Sequence, residues 1–221
     1  MKSARFALPG IGAALVLGAA AAWSSAREAP VAIPAVAASA ASVSGATLSA
    51  AERRSYQVDA GHTSVLFRVK HLNVANFWGR FNRVTGSYTV DPNDLASSSI
   101  EIWIDVETVD SNHDGRDRHL RSPDFFNTQQ FPNATFESTS ISKAGDDEFA
   151  VKGDMTIRGV TKPIEFTATW TGEGDQGPRF GYRSGWETEV TISRSEFGIT
   201  YSPDTLGDEV KLVIAVEGIA Q

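Results

Sequence analysis

The chain is 221 residues long, carries a formal charge of −7 and contains no cysteine. Without thiols it can form neither disulfides nor thiolate nucleophiles. Its acidity makes it a poor partner for nucleic acid, whose phosphates need clustered Lys and Arg, and suits solubility outside the cytoplasm.

The N-terminus has the pattern of an export signal. Lys2 and Arg5 make a short basic start, Ile11 to Ala22 is almost wholly apolar and small, and Ser24-Ser25-Ala26 supplies small residues for a peptidase. A signal peptide is expected over 1–26. Its removal takes away Lys2 and Arg5, two charges subtracted from −7, leaving −9. The apolar core is short of the ~20 residues that span a bilayer; an uncleaved anchor is the alternative. Charges interrupt every later apolar run, so no further membrane span is expected. Residues 27–54 are rich in Ala, Ser, Val and Pro, with few large side chains. Such a stretch buries too little to offset its ordering entropy and reads as a disordered tether. An alanine helix is the alternative, but Pro30 and Pro34 break its first half.

The folded domain is expected over 55–221, where the dominant period is two. Val65, Phe67, Val69 and His71 alternate with Ser64, Leu66, Arg68 and Lys70. Ile100, Ile102, Ile104 and Val106 alternate with Glu101, Trp103 and Asp105. Met155 with Ile157, Ile164 to Trp170, Val190 with Ile192, and Leu212 to Val216 continue the pattern. Each reads as a strand with one buried face and one wet face. Turn signals fall at Asp91-Pro92-Asn93-Asp94, Ala144 to Asp147, Gly159 and Gly172 to Asp175. Between Gly115 and Pro132 the pattern changes to a helix-like stretch around Arg118 to Phe125, with Ser122-Pro123 as a helix start. The domain is therefore all-β with one or two short helices, closed as a sandwich or a barrel. Eleven of the twelve Phe and four Trp fall inside it, which favours a barrel whose inward rings either fill the interior or line a cavity.

Motifs for chemistry are sparse. His62, His71, His113 and His119 show no metal-ligand spacing, and no metal or other cofactor is expected. Asp110 to Gly115 copies the opening of a calcium loop, but the position of its closing Glu is Arg121, a cation, so the motif is rejected. There is no nucleophile elbow. Glu187 with Glu189 and Asp105 with Glu107 share strand faces and read as solvated pairs, not as a glycosidase pair. Asn133-Ala134-Thr135 matches the glycosylation acceptor pattern only weakly. Arg116, Arg118 and Arg121 cluster beside Asp117 and His119, either as a salt-bridged surface loop or as the polar rim of a pocket.

Several stretches, in this order and spacing, carry a resemblance. They are Gly61-His62-Thr63-Ser64-Val65-Leu66-Phe67-Arg68-Val69-Lys70-His71-Leu72, Phe77-Trp78-Gly79-Arg80-Phe81, and Arg118-His119-Leu120-Arg121-Ser122-Pro123-Asp124-Phe125-Phe126. Gly153 to Pro163 and Ser193-Arg194-Ser195-Glu196-Phe197-Gly198 complete them. From Ser55 onward the chain resembles the YceI-like, polyisoprenoid-binding family. The resemblance implies an extended, lipocalin-like antiparallel β-barrel in the periplasm, often a homodimer, whose apolar tunnel holds a polyisoprenoid, an isoprenoid quinone or a fatty amide without catalysis. Phe67, Val69, Phe81, Ile102, Ile104, Phe136, Met155, Ile157, Phe166 and Trp170 are expected along the tunnel. His71, Arg80, Asp117, His119 and Arg194 are expected at its polar mouth or in structural hydrogen bonds, Arg194 with Glu196 as an internal brace. Gly79 and Gly86 are expected to relieve crowding at barrel corners. Two other readings stand beside the carrier: a lipid-modifying enzyme using Asp117 and His119 as an acid–base pair, and a stress or adhesion scaffold with a protein partner.

Overall fold

In the computed structural model the described residues are 53–221; the expected signal peptide and all of the expected tether but Arg53 and Arg54 lie outside them. The strands are β1 (Arg54–Val58), β2 (Ser64–His71), β3 (Ala75–Phe81), β4 (Val84–Val90), β5 (Ser99–Asp105) and β6 (Val109–Asp110). After the helix α1 (Asp114–Arg121) come β7 (Asn133–Lys143), β8 (Glu148–Ile157), β9 (Val160–Asp175), β10 (Tyr182–Ser193) and β11 (Leu206–Ala220). No helix among the described residues is long and apolar enough to cross a membrane.

Eight strands, in the order β1-β4-β5-β7-β8-β9-β10-β11, form an antiparallel ring closed by β1 on β11. The closing register sets Tyr56 against Ala220 and Val58 against Gly218. β11 pairs with β10 along one edge and is long enough to hold two partners on the other: its last residues pair with β1, and Leu206 to Ala215 pair with β2. From β2 the sheet continues into β3 and the short β6. Closure pairs β1 with β11, while the outer edge of β3 from Ala75 to Gly79 stays unpaired beyond the short β6.

The alternation seen in the sequence is the alternation of the wall. Val65 and Phe67 are buried while Lys70 is exposed; Ile100 and Ile102 are buried while Glu101 and Trp103 are exposed. Two tight hairpins use backbone that favours Gly or Asn. Leu72 and Asn73 turn β2 into β3 with φ of 50° and 54°, and Arg158 and Gly159 turn β8 into β9 with φ of 53° and 74°.

Two local expectations are corrected. The helix occupies 114–121, so Ser122 follows it as the C-cap instead of starting it. His113 is the N-cap, its side chain accepting from the Arg116 N–H at 3.1 Å. Asp114 and Asp117 lie in the first turn and Arg118, His119 and Arg121 in the last, which suits the helix dipole. Pro123, with no N–H to offer, forbids continuation. The glycine run at 172–175 is not a turn but the end of β9; the reversal comes after it. Gly172 has φ +144° opposite Gly185, where the β9–β10 register shifts. Its glycine serves a bulge, which bends a strand without ending it.

Candidate functional site

The barrel interior is filled at one end and hollow at the other. At the filled end Trp170 and Trp186 sit directly opposite each other on β9 and β10. Tyr88 meets Trp186 edge-on at 6.2 Å and stacks on Tyr56 at 4.9 Å. All four rings are buried. The Tyr88 hydroxyl hydrogen-bonds Ser184 Oγ at 2.6 Å, and the Tyr56 hydroxyl donates to Glu173 at 2.9 Å. Burial pushes both phenols well above their usual pKa.

The hollow end is a cavity of about 430 Å³. Its wall is almost wholly apolar. β2 contributes Val65, Phe67 and Val69; β3 contributes Phe77 and Phe81; β7 and β8 contribute Phe136, Met155 and Ile157. Ile104, Ile192, Val210 and Leu212 complete the wall, and Leu120, Phe125 and Phe126 from α1 and the loop after it complete the enclosure. The exposed lining residues His71, Arg116 and Tyr201 mark where the cavity meets solvent.

The polar groups at this mouth are largely hydrogen-bonded to the protein itself. His119 Nε2 lies 2.9 Å from Asp124 Oδ2, and its ring meets Phe125 and Tyr201 edge-on at 5.0 and 4.9 Å. Arg116 donates to the Ser111 hydroxyl at 2.9 Å and the Ser111 carbonyl at 2.7 Å, with its guanidinium 4.4 Å from the Phe77 ring. Ser202 and Thr205 share a 2.6 Å hydrogen bond. Arg194, buried at the wall, donates to the carbonyls of Gly207, Ile199, Tyr201 and Leu206 at 2.8 to 2.9 Å. It is an internal brace, but its partners are these four carbonyls and not Glu196. Ile199 and Tyr201 belong to the irregular chain between β10 and β11, and Leu206 and Gly207 to the first residues of β11, so the guanidinium ties the connection to the strand it leads into.

Ten of the residues expected at the tunnel or its mouth line this one cavity: Phe67, Val69, His71, Phe81, Ile104, His119, Phe136, Met155, Ile157 and Arg194. Ile102, Phe166 and Trp170 do not. Ile102 and Trp170 are buried in the core, and Phe166 is partly buried and packs on the Phe136 ring at 5.2 Å. Arg80, of opposite parity to Gly79 and Phe81, is exposed and sits across from Asp110. Asp117 is buried beneath the helix, where it accepts from the Ser111 N–H at 2.9 Å and from the Ser111 hydroxyl. Two residues apart on a helix, Asp117 and His119 point to different faces, so the acid–base pair is not assembled. For the same reason Arg118 and Arg121 leave the cavity to Arg116. Arg121 donates instead to the carbonyls of Glu107 and Val109 at 2.7 and 3.1 Å. Gly79 does not mark a corner; the Phe67 ring lies over it, and Phe67 Cε1 and Cε2 would stand 2.8 Å from any Cβ there.

The lining residues that sequence reasoning missed divide by cause. Phe77 has the parity of Gly79 and Phe81 and was legible. Phe125, Phe126, Ile199 and Tyr201 come from irregular segments, where no period reports which way a side chain faces.

One cluster of potential metal ligands occurs among the described residues. Asp59, His62 and Glu217 each bring a ligand atom within 4.8 Å of the others. The Arg183 guanidinium bonds both Asp59, at 2.7 Å, and Glu217, and so supplies the positive charge the carboxylates need.

A YceI-like domain family model matches residues 56–218. The chain belongs to the YceI-like family. It is 41% identical over 168 residues to a UPF0312 protein of Pseudomonas aeruginosa, an alignment that covers 75% of this chain and 87% of the relative. Among solved structures it is similar to Burkholderia cenocepacia BcnA, with a TM-score of 0.66 at 23% identity, over 72% of this chain and 98% of that one. It is also similar to a polyisoprenoid-binding domain from Saccharophagus degradans, implicated in plant cell wall breakdown, with a TM-score of 0.60 at 14% identity, over 75% and 98%. At such identities the two structures speak to the shared barrel fold.

Proposed function

We propose that this YceI-like barrel binds one apolar amphiphile without transforming it, the chain lying in the cavity and the polar end at the mouth beside His71, Arg116 and His119. The observation that carries this reading is the 430 Å³ hollow, walled by aliphatic and aromatic side chains. Burying hydrocarbon there contributes ~0.8 kcal/mol per methylene, so chain contact supplies the affinity. Arg116 and His119, already hydrogen-bonded to Ser111 and Asp124, suit a head group held loosely. The polyisoprenoid-binding description of the Saccharophagus degradans domain supports the same class of ligand. Export by the N-terminal segment to the periplasm, and action there as a carrier or store in a homodimer, belong to this proposal.

The test is extraction. Protein produced with its own N-terminal segment, recovered from the periplasm and extracted with organic solvent, is expected to yield an apolar amphiphile near one per chain by mass spectrometry. Recovery from the cytoplasm alone would overturn the export reading. Protein that is repeatedly empty and takes up no lipid when offered one would overturn the carrier reading. Sizing of the same sample checks the dimer.

A further inference from the structure

The β2–β3 hairpin turns a second surface outward. Val69, His71 and Phe77 line the cavity, so residues of the opposite parity, Arg68, Lys70, Asn76, Trp78 and Arg80, lie on the outer face. Pairing sets Arg68 against Trp78 and Lys70 against Asn76, and the Arg68 guanidinium lies 5.7 Å from the Trp78 ring. At the tip every residue from Lys70 to Asn76 is exposed, Leu72 by 53% and Val74 by 82%. Trp78 behind them is 46% exposed. The Leu72 N–H donates to the Thr205 carbonyl at 2.7 Å, and His71, Tyr201 and Thr205 border the hollow. The tip is therefore part of the rim of the mouth.

Leu72 is a poor turn residue. Its φ is +50°, in the left-handed region that Asn and Gly enter at little cost and a bulky aliphatic side chain does not. Packing returns little, since more than half of the residue meets water. Asn, which already stands at the next position with φ +54°, would serve the turn better. What the leucine offers is an apolar side chain held out at the rim beside Val74.

Charge at this hairpin runs against that of the chain. The protein carries −7, yet Arg68, Lys70 and Arg80 share one outer face, and none of them is in an ion pair among the described residues. Asp110 faces Arg80 from β6, and Asp204 and Glu209 lie on the adjoining chain before and within β11. Protruding apolar side chains backed by unpaired cations and an exposed indole are the chemistry of a bilayer interface, where acyl chains take the apolar groups, lipid phosphates take the cations and indoles sit at head-group level.

We propose that the β2–β3 hairpin docks the barrel, mouth first, on an anionic phospholipid bilayer, with Leu72 and Val74 entering the interface and Arg68 and Lys70 meeting the phosphates. This goes beyond the carrier reading. It concerns the outside of the hairpin, and its test needs no ligand in the hollow.

The chain has no cysteine, so one introduced thiol reports one position. In the full chain, Val74→Cys carries a polarity-sensitive nitrobenzoxadiazole label at the tip, and Gln176→Cys carries it on the exposed reversal between β9 and β10 at the filled end. The vesicles are phosphatidylglycerol with phosphatidylcholine, or phosphatidylcholine alone, each with a spin-labelled lipid as quencher. On the anionic vesicles the label at 74 is expected to shift to the blue and be quenched, while the label at 176 stays in water. Quenching at 74 is expected to be much weaker on phosphatidylcholine alone. Both labels share one N-terminal segment, so any attraction of that segment to lipid does not distinguish them.

Lys70→Gln and Arg68→Gln, added to the Val74 reporter, are each expected to lower the docked-to-undocked ratio about fivefold, the effect of one cation near a charged surface. Leu72→Asn is expected to lower it about tenfold while the protein melts no lower than its parent, a split that a merely structural leucine would not give. A label at 74 as wet as that at 176, or a Leu72→Asn protein that docks like its parent, overturns the proposal. So does a blue shift at 74 that grows with protein concentration without vesicles and resists the lipid quencher, which would make the tip a contact between copies. Docking by protein whose hollow is empty and takes up no lipid would defeat the carrier reading and leave this one standing.

Discussion

Arg183 donates to Asp59 at 2.7 Å across 124 residues of sequence and bonds Glu217 through the same nitrogen. The two carboxylates lie just after β1 and near the end of β11, the strands whose pairing closes the ring, while Arg183 lies at the start of β10. The seam of the barrel is thus fastened by one cation.

That arrangement predicts an acid dependence. The Arg183 hydrogen bond first, and then His62, hold the Asp59 carboxyl at about 2, below its ordinary 3.8. The folded-state pKa is the lower one, so the stabilisation is complete above the unfolded value of 3.8 and is lost as pH falls through about 2. In Arg183→Met the carboxyl is expected to titrate back toward 3.8, and acid unfolding to begin at higher pH. NMR titration of the Asp59 carboxyl in both proteins checks the shift; an Asp59 that titrates identically in the two contradicts it.

Removing the brace at the mouth should be expensive. Arg194→Met takes the guanidinium from four carbonyls, Ile199 and Tyr201 in the β10–β11 connection and Leu206 and Gly207 at the start of β11. A buried polar group stripped of its partner costs ~1–3 kcal/mol, and some of these carbonyls will find water, so a loss of about 3–5 kcal/mol is expected in urea unfolding. Because Ile199 and Tyr201 line the cavity, bound lipid should also be released more readily at temperatures below the unfolding transition. A loss under about 1 kcal/mol would show that the carbonyls do not depend on the guanidinium.

At the filled end the indole nitrogens of Trp170 and Trp186 are buried with no hydrogen-bond partner in the protein. Replacing Trp186 should therefore depend on shape more than on polarity. Trp186→Ala is expected to cost about 3–5 kcal/mol by leaving a cavity. Trp186→Phe keeps most of the ring and removes an unpaired donor, and is expected to cost about 1 kcal/mol. Parallel denaturant titrations compare the two, and equal losses would contradict the shape argument.

Gly86 offers a backbone test. Its φ is +141°, and the Glu101 carbonyl oxygen of β5 occupies the place a Cβ would take. Gly86→Ala is expected to destabilise by about 2 kcal/mol, the scale of one strained residue, with no change in ligand affinity, since Gly86 does not line the cavity. Thermal unfolding with and without added lipid separates these effects.

The amino-acid sequence by itself determined the wall. Period-two alternation is a local property of the pleat, so Val65, Phe67, Ile100, Phe136 and Met155 could be read as inward-facing from their neighbours alone, and the all-β class and most reversals followed. Only the tertiary structure decided what the wall encloses. Alternation reports the face of a strand but not the level along the barrel axis. It could not separate Phe67, which borders the hollow, from Trp170, which belongs to the filled end. The helix period likewise could not be placed until Pro123 and His113 were seen at its two ends, and with it went the separation of Asp117 from His119. The closing contact of β1 with β11, the Arg183 fastening and the four carbonyls on Arg194 join residues far apart in the chain or held in irregular loops. There the geometry comes from how distant surfaces meet, which no short stretch of sequence contains.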